Sequence, residues 1–203
     1  MNIGVLGGTF DPIHLGHLVV AEEMRDQLGL AEILFIPAGQ PWLKVDSPIL
    51  SAEHRVQMVR LALVGKPYFK LSTMEIERAG LSYTVDTIAE LQSQLGAEDK
   101  LFFILGWDNL AQLPQWQEPS RLVKMCHLVA VPRVGYPAPD LALLEKSIPG
   151  LSQATIVLDT PWIDITASAI RNRVAQGLSI CHLVPEPVER YIRENGLYIT
   201  PQG

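Results

Sequence analysis

Short apolar runs rich in β-branched residues alternate with stretches whose apolar positions recur every three or four residues. The alternation covers almost all of the 203-residue chain. The runs read as buried strands and the periodic stretches as amphipathic helices. Strands are predicted at residues 2–6, 32–37, 68–72, 100–105, 126–131 and 154–158. A first helix follows Gly16: Leu18, Val19, Ala21, Met24 and Leu28 share its apolar side, and Gly29 ends it. A second runs from a cap at Ser51 to about Leu63, with Glu53 well placed in its first turn. Helices are also predicted at 84–95, at about 167–176 and at about 185–195. The stretch 133–150 carries Pro137, Pro139 and Pro149 just after Pro132, and is expected to be irregular.

This order predicts an α/β fold: a Rossmann-like, doubly wound, mainly parallel sheet with helices on both faces. A helical C-terminal segment from about 166 to 203 completes a single domain spanning 1–203. Such sheets bind ligands beyond the carboxyl ends of their strands, where the strand order reverses.

Forty-eight per cent of the residues are hydrophobic, enough to bury a sizeable core. Lysine plus arginine total 16 against 22 for aspartate plus glutamate, a net charge of −6. That balance disfavours non-specific nucleic-acid binding, which depends on basic surface. Cys126 and Cys181 have no CxxC spacing, so neither a disulfide framework nor a structural zinc site is expected. Both read as buried or half-buried thiols in a reducing compartment. The start MNIGVLGG lacks the basic and long apolar regions of a signal peptide, and no apolar run approaches the ~20 residues that span a bilayer. The expectation is a cytoplasmic protein, monomer or homo-oligomer, with no membrane or nucleic-acid partner.

The densest chemistry lies between the first strand and the first helix, in GGTFDPIHLGHL, residues 7–18. Gly7 and Gly8 have no β-carbon and admit a ligand close to the backbone. The helix start beyond them brings N–H groups and a positive dipole end, which suit phosphate. His14 and His17 can donate to phosphate oxygens, and carry charge when protonated. Two alternatives compete. A zinc site lacks a third ligand nearby in sequence. A purely structural turn leaves the pairing of both histidines with a glycine-rich strand exit unexplained. A phosphate cradle accounts for all three features, although the segment is neither a GxxxxGK[ST] loop nor a GxGxxG fingerprint.

GGTFDPIHLGHL resembles the GxFDPxHxGH signature of the HxGH nucleotidyltransferases. Four more blocks extend the likeness: RVQMVRLAL after Ser51, GLSYTVDT at 80–87, LGWDNL with LPQW at 105–116, and DITASAIR at 164–171. Together they resemble the bacterial nicotinate-nucleotide adenylyltransferases over nearly the whole length, to about Tyr198. The resemblance implies adenylyl transfer from ATP to nicotinate mononucleotide, giving nicotinate adenine dinucleotide and pyrophosphate, in NAD biosynthesis. It places Gly7, Gly8, Thr9, Phe10, His14, His17, Asp108, Ile165, Ser168 and Arg171 on ATP, with His14, His17 and Arg171 catalytic. Lys44, Ser82, Tyr83, Thr84, Asp108 and Trp116 would meet the acceptor. It implies Mg²⁺ bound with the ATP phosphates rather than in a protein cage. The chain departs from the family pattern at Leu43, where histidine is usual, at Trp107, where a small residue is usual, and at Ala167, where a hydroxyl is lost.

These residues also have readings of their own. Ser82 and Thr84 can hold a carboxylate or amide, or simply cap a helix. Asp108 can accept ribose hydroxyls or cap a short helix. Trp116 offers a flat face to a pyridine ring, or covers core. Arg171 suits bidentate phosphate contact, or is a solvated surface cation. Two other functions stay open: a sister transferase acting on nicotinamide mononucleotide or another phosphorylated acceptor, and a nucleotide-binding module without turnover.

Overall fold

The computed structural model describes residues 1–42, 48–96 and 98–199. Six strands form one sheet: β1 (Asn2–Gly8), β2 (Glu32–Pro37), β3 (Phe69–Leu71), β4 (Lys100–Gly106), β5 (His127–Val131) and β6 (Thr155–Val157). Their order is β3-β2-β1-β4-β5-β6, and every pairing is parallel. Parallel neighbours need long crossovers, and helices supply them. The crossover after β1 is α1 (Leu15–Leu28) and that after β2 is α2 (Ala52–Ala62). Between β3 and β4 lie α3 (Met74–Glu77) and α4 (Thr84–Gln94). Between β4 and β5 come α5 (Trp107–Ala111), a 3₁₀ turn (Leu113–Gln115) and α6 (Pro119–Met125). Helices α7 (Leu141–Ser147) and α8 (Leu151–Ala154) precede β6, and α9 (Ala167–Ala175) and α10 (Glu186–Glu194) follow it.

The strand period of two sorts the core onto two faces. In β4, Phe102 and Ile104 join Met24, Met58, Ile170 and Val188, under α1, α2, α9 and α10. Its Leu101, Phe103 and Leu105 join Ile88, Leu122 and Leu144, under α4, α6 and α7. Burial on both faces is why these strands read as continuous apolar runs rather than alternating ones. The order turns back between β1 and β4, which makes their carboxyl ends the place for a ligand.

Local signals act as expected at Ser51, whose Oγ accepts from the His54 N–H, and at Gly29, which ends α1 with φ 59°. The stretch 133–150 is not irregular throughout. Asp140 caps α7, its Oδ1 accepting from the Leu143 N–H at 3.0 Å, and the flanking prolines bound the helix instead of preventing it. Cys126 is buried, and burial pushes its thiol up to about 12, whereas Cys181 is exposed against expectation. Cys181 sits in the short turn before α10, where no element covers it. Among the described residues no helix is long and apolar enough to cross a membrane.

Candidate active site

A cleft of about 520 Å³ opens where β1 and β4 part. Gly7 and Gly8 from β1, Leu105 and Gly106 from β4 and Val131 from β5 form its floor. A second hollow of about 540 Å³ lies at the amino ends of β4 and β5, beside Lys100 and His127, and contains none of the motif residues.

Beyond Gly8 the chain doubles back through Phe10, which is buried with φ 49°. A non-glycine residue in this region stores roughly 1–3 kcal/mol, and the burial of its ring in the core holds it there. His14 is the N-cap of α1. Its main-chain N–H donates to His17 Nδ1 at 3.2 Å, which puts the proton of a neutral His17 ring on Nε2. The two imidazoles stack at 3.6 Å, and Phe10 meets His17 edge-on at 5.0 Å. The pair is disposed as a reciprocal capping box, but only the His17 half closes as a hydrogen bond. Gly16 makes this possible: a Cβ there would lie 2.6 Å from Ile163 Cγ2 and 3.0 Å from His14 Nδ1.

Two expectations change here. The first N–H groups of α1 are partly spent, Leu15 N on Leu183 O (2.9 Å) and His17 N on His14 O (3.0 Å), so the helix start contributes field more than free donors. His14 is also not a cation. Burial, helped by the charge of Arg133, lowers its pKa from 6.5 to about 4. It therefore acts as a neutral donor or acceptor at physiological pH. Folded His14 takes its proton near pH 4 and the unfolded residue near 6.5. Between those values the unfolded chain binds more protons, so this contribution to stability is complete above about 6.5 and is lost as pH falls toward 4. An NMR titration of the His14 ring is expected to show a midpoint near 4; a midpoint above 6 would refute the buried, neutral ring.

Arg171, in the second turn of α9, lines the cleft, and its Nη1 donates to Asp11 O at 2.8 Å. Thr166 caps α9, its Oγ1 accepting from Ala169 N, and Ile165 and Ala167 line the cleft beside it. Ser168 is placed elsewhere. It is exposed, outside the cleft lining, with its hydroxyl 3.2 Å from that of Thr166. Asp108 lines the cleft from inside the first turn of α5, whose N-cap is Gly106, so it is not a capping residue.

Thr84 and Trp116 also line the cleft, with Trp116 edge-on to Phe103 at 6.1 Å. The cap of α4 is Tyr83, not Thr84 or Ser82. Tyr83 stands outside the lining, its ring 6.4 Å from that of Trp42. Ser82 lines the cleft, and its hydroxyl is bonded to neighbouring loops. It accepts from Gly39 N (2.9 Å) and Gln40 N (3.2 Å) and bonds to Glu75, which also accepts from Thr87 Oγ1 at 2.7 Å. Burial raises the Glu75 pKa, and these hydroxyls and Arg78 oppose the shift. Trp107 is buried at the start of α5, edge-on to Trp162 at 5.4 Å, so this departure fills core rather than the cleft. Leu43 and Lys44 lie outside the described residues.

Sequence reasoning missed three residues. Arg55, within RVQMVRLAL, is 2 % exposed and donates to Leu50 O (3.0 Å), Thr9 O (2.9 Å) and Gly39 O (3.3 Å). It looks like a surface cation of an amphipathic helix until the loops fold over it. Arg133 lines the cleft just past β5, and a cation directly after the strand exit at Pro132 was its available signal. Tyr198 donates to Asp11 Oδ1 at 2.7 Å from 187 positions away, a separation at which the sequence carries no signal.

Five buried side-chain polar atoms among the described residues make no hydrogen bond, and three of them belong to cleft-lining residues: His14 Nδ1, Asp108 Oδ1 and Trp116 Nε1. Buried polar atoms are ordinarily paired, so this concentration marks where a polar ligand completes the bonding. Among the described residues no group of three or more His, Cys, Asp or Glu is placed to hold a metal ion, and stacked His14 and His17 gain no third ligand.

A doubly wound sheet with a histidine-bearing cradle at its switch point defines a nucleotide-binding α/β protein, and residues 5–173 match the cytidylyltransferase-like family, to which the chain belongs. A probable nicotinate-nucleotide adenylyltransferase of Dehalococcoides mccartyi is 50 % identical over 198 residues, covering 98 % of this chain and 97 % of that one. Another, of Moorella thermoacetica, is 42 % identical over 97 % of this chain and 91 % of its own. Within its family, the chain is therefore a member of the nicotinate-nucleotide adenylyltransferases. The fold is shared with the nicotinic acid mononucleotide adenylyltransferase of Plasmodium falciparum complexed with NaAD, with a TM-score of 0.79, 21 % identity and 97 % coverage of both chains.

Proposed function

We propose that the cleft transfers the adenylyl group of ATP to nicotinate mononucleotide, releasing nicotinate adenine dinucleotide and pyrophosphate, as a step of NAD biosynthesis. The observation that carries this reading is the set of unpartnered buried atoms on His14, Asp108 and Trp116, spread along one cleft beside the GGTFDPIHLGHL cradle. A phosphate oxygen of the mononucleotide attacks the α-phosphorus in line. The bond from that phosphorus to the bridging oxygen of the β-phosphate breaks, and pyrophosphate leaves with the electron pair. The attacking oxygen is already anionic, so no general base is needed. Catalysis is then positioning and charge stabilisation.

The main chain at Gly8, Thr9 and Phe10, with His14 and His17, holds the ATP phosphates. Arg171 meets the charge that builds on the leaving pyrophosphate. Arg133, which also lines the cleft, adds a second cation, and Asp108 receives ribose hydroxyls. Trp116 covers the pyridine ring. With no acidic cluster in the described cleft, Mg²⁺ would ride on the ATP phosphates that these residues hold, where it would neutralise charge. The positive end of α4 at Thr84 favours the carboxylate of nicotinate over a neutral amide.

The test supplies Mg-ATP with nicotinate mononucleotide, nicotinamide mononucleotide or phosphopantetheine, and measures pyrophosphate. Release is expected chiefly with the nicotinate form. No release with either pyridine mononucleotide would overturn the reading, and ATP binding without release would identify a module without turnover.

A further inference from the structure

The signature loop contains a buried carboxylate that the adenylyl transfer does not use. Asp11 is 4 % exposed. Its Oδ1 accepts from the hydroxyl of Tyr198, which follows α10 at the far end of the described chain. Its main-chain carbonyl accepts from Arg171 Nη1. One residue is therefore held through its side chain by the C-terminal segment, and itself holds the guanidinium that lines the cleft. The Tyr198 hydroxyl also lies in the field of Arg55 and Arg171. Among the described residues, the charges acting on this hydroxyl come from the loop itself, α2 and α9. Leu197, just before Tyr198, is buried with Ile192 and Val188 in the core under α10, so the tyrosine is delivered from a packed base.

We propose that Asp11 and Tyr198 are a positioning pair that sets the aim of Arg171 on the leaving pyrophosphate. The proposal rests on the adenylyl-transfer reading. Without the tyrosine hydroxyl, a buried carboxylate is left short of a donor, and the charged donors in the field of the pair are the guanidinium groups of Arg55 and Arg171. Arg171 is then drawn away from the direction that its bond to the Asp11 carbonyl imposes. The cost falls on the step in which charge moves to pyrophosphate, so kcat changes more than either KM.

The experiment measures pyrophosphate release by wild type, Tyr198→Phe, Asp11→Asn, Arg171→Ala and the Tyr198→Phe/Arg171→Ala double variant, with melting curves for each. Tyr198→Phe keeps the packed ring and is expected to lose about tenfold in kcat, with KM for the mononucleotide within twofold of wild type. Asp11→Asn retains an oxygen for the tyrosine hydroxyl and the same main-chain carbonyl, and is expected to stay within about threefold in kcat. In the Arg171→Ala background, followed at high enzyme concentration over long incubations, Tyr198→Phe is expected to cost no more than about twofold, because its route runs through Arg171. Wild-type kcat in Tyr198→Phe overturns the proposal. So does a full tenfold loss repeated without Arg171, which marks general loosening, or a tenfold loss in Asp11→Asn, which assigns the effect to charge. An inactive wild type fails the adenylyl-transfer reading itself, an outcome distinct from any of these.

Discussion

His17→Ala is expected to lower the turnover of adenylyl transfer by about two to three orders of magnitude, the loss typical of removing one preorganised donor from a charge-stabilising site. The reason lies in how rigidly the ring is set. Its Nδ1 takes the His14 N–H, its face lies on the His14 ring at 3.6 Å, and Phe10 closes against it at 5.0 Å. A donor fixed in this way needs no reorganisation when charge develops on phosphate. Alanine removes it and leaves the His14 N–H without its acceptor, a modest structural cost of about 1 kcal/mol. Steady-state pyrophosphate release and a thermal melt together check this. Turnover near that of wild type, with the fold retained, would rule His17 out of the phosphate contact.

Arg55→Ala is the variant expected to damage the fold most, by about 3–5 kcal/mol and therefore roughly 10 °C in Tm for a chain of this size. The arginine never reaches the cleft. Its three hydrogen bonds go to the carbonyls of Leu50, Thr9 and Gly39, which joins the loop after β1 to the turn after β2. Burial pulls its pKa down, and the charge of Asp11 works against that shift. Removing the side chain opens a large void and strips three carbonyls of their donor. Lysine does not restore them, because a single ammonium cannot span the fork. The turn it anchors is already tight: a Cβ on Gly39 would fall 2.1 Å from Glu75 O. Differential scanning calorimetry of Arg55→Ala and Arg55→Lys checks the effect, and a Tm within 2 °C of wild type in either would contradict it.

The strands and most long helices follow from the local pattern, because a strand buried on both faces must be an apolar run and a half-buried helix must be periodic. The prediction failed where local and tertiary signals diverge. Prolines around 133–150 suggested irregular chain, yet Leu144 and Ile148 have core to bury against and Asp140 caps the turn, so α7 forms. The short helices after β4 have too few turns to show a period. At the site, the glycines, His14 and His17 were legible because their spacing at a strand-to-helix junction is itself the signal, and Arg171 was legible through the DITASAIR block that opens α9. Tyr83 and Ser168 show the limit of that approach: the right residue types stand at the right places, but the ring of one packs on Trp42 and the hydroxyl of the other lies beside that of Thr166, and neither lines the cleft.

By itself the sequence determined that this chain alternates strand and helix, that a glycine- and histidine-rich turn follows its first strand, and that its blocks together resemble those of nicotinate-nucleotide adenylyltransferases. Only the tertiary structure decided that His14 is neutral, that Arg55 is a buried tie, that Arg133 faces the cradle, and that Tyr198 holds Asp11. Periodicity and turn chemistry act over a few residues and are written in the chain. Desolvation, charge and hydrogen bonding between distant segments depend on which surfaces the folded sheet brings together, and no local pattern encodes them.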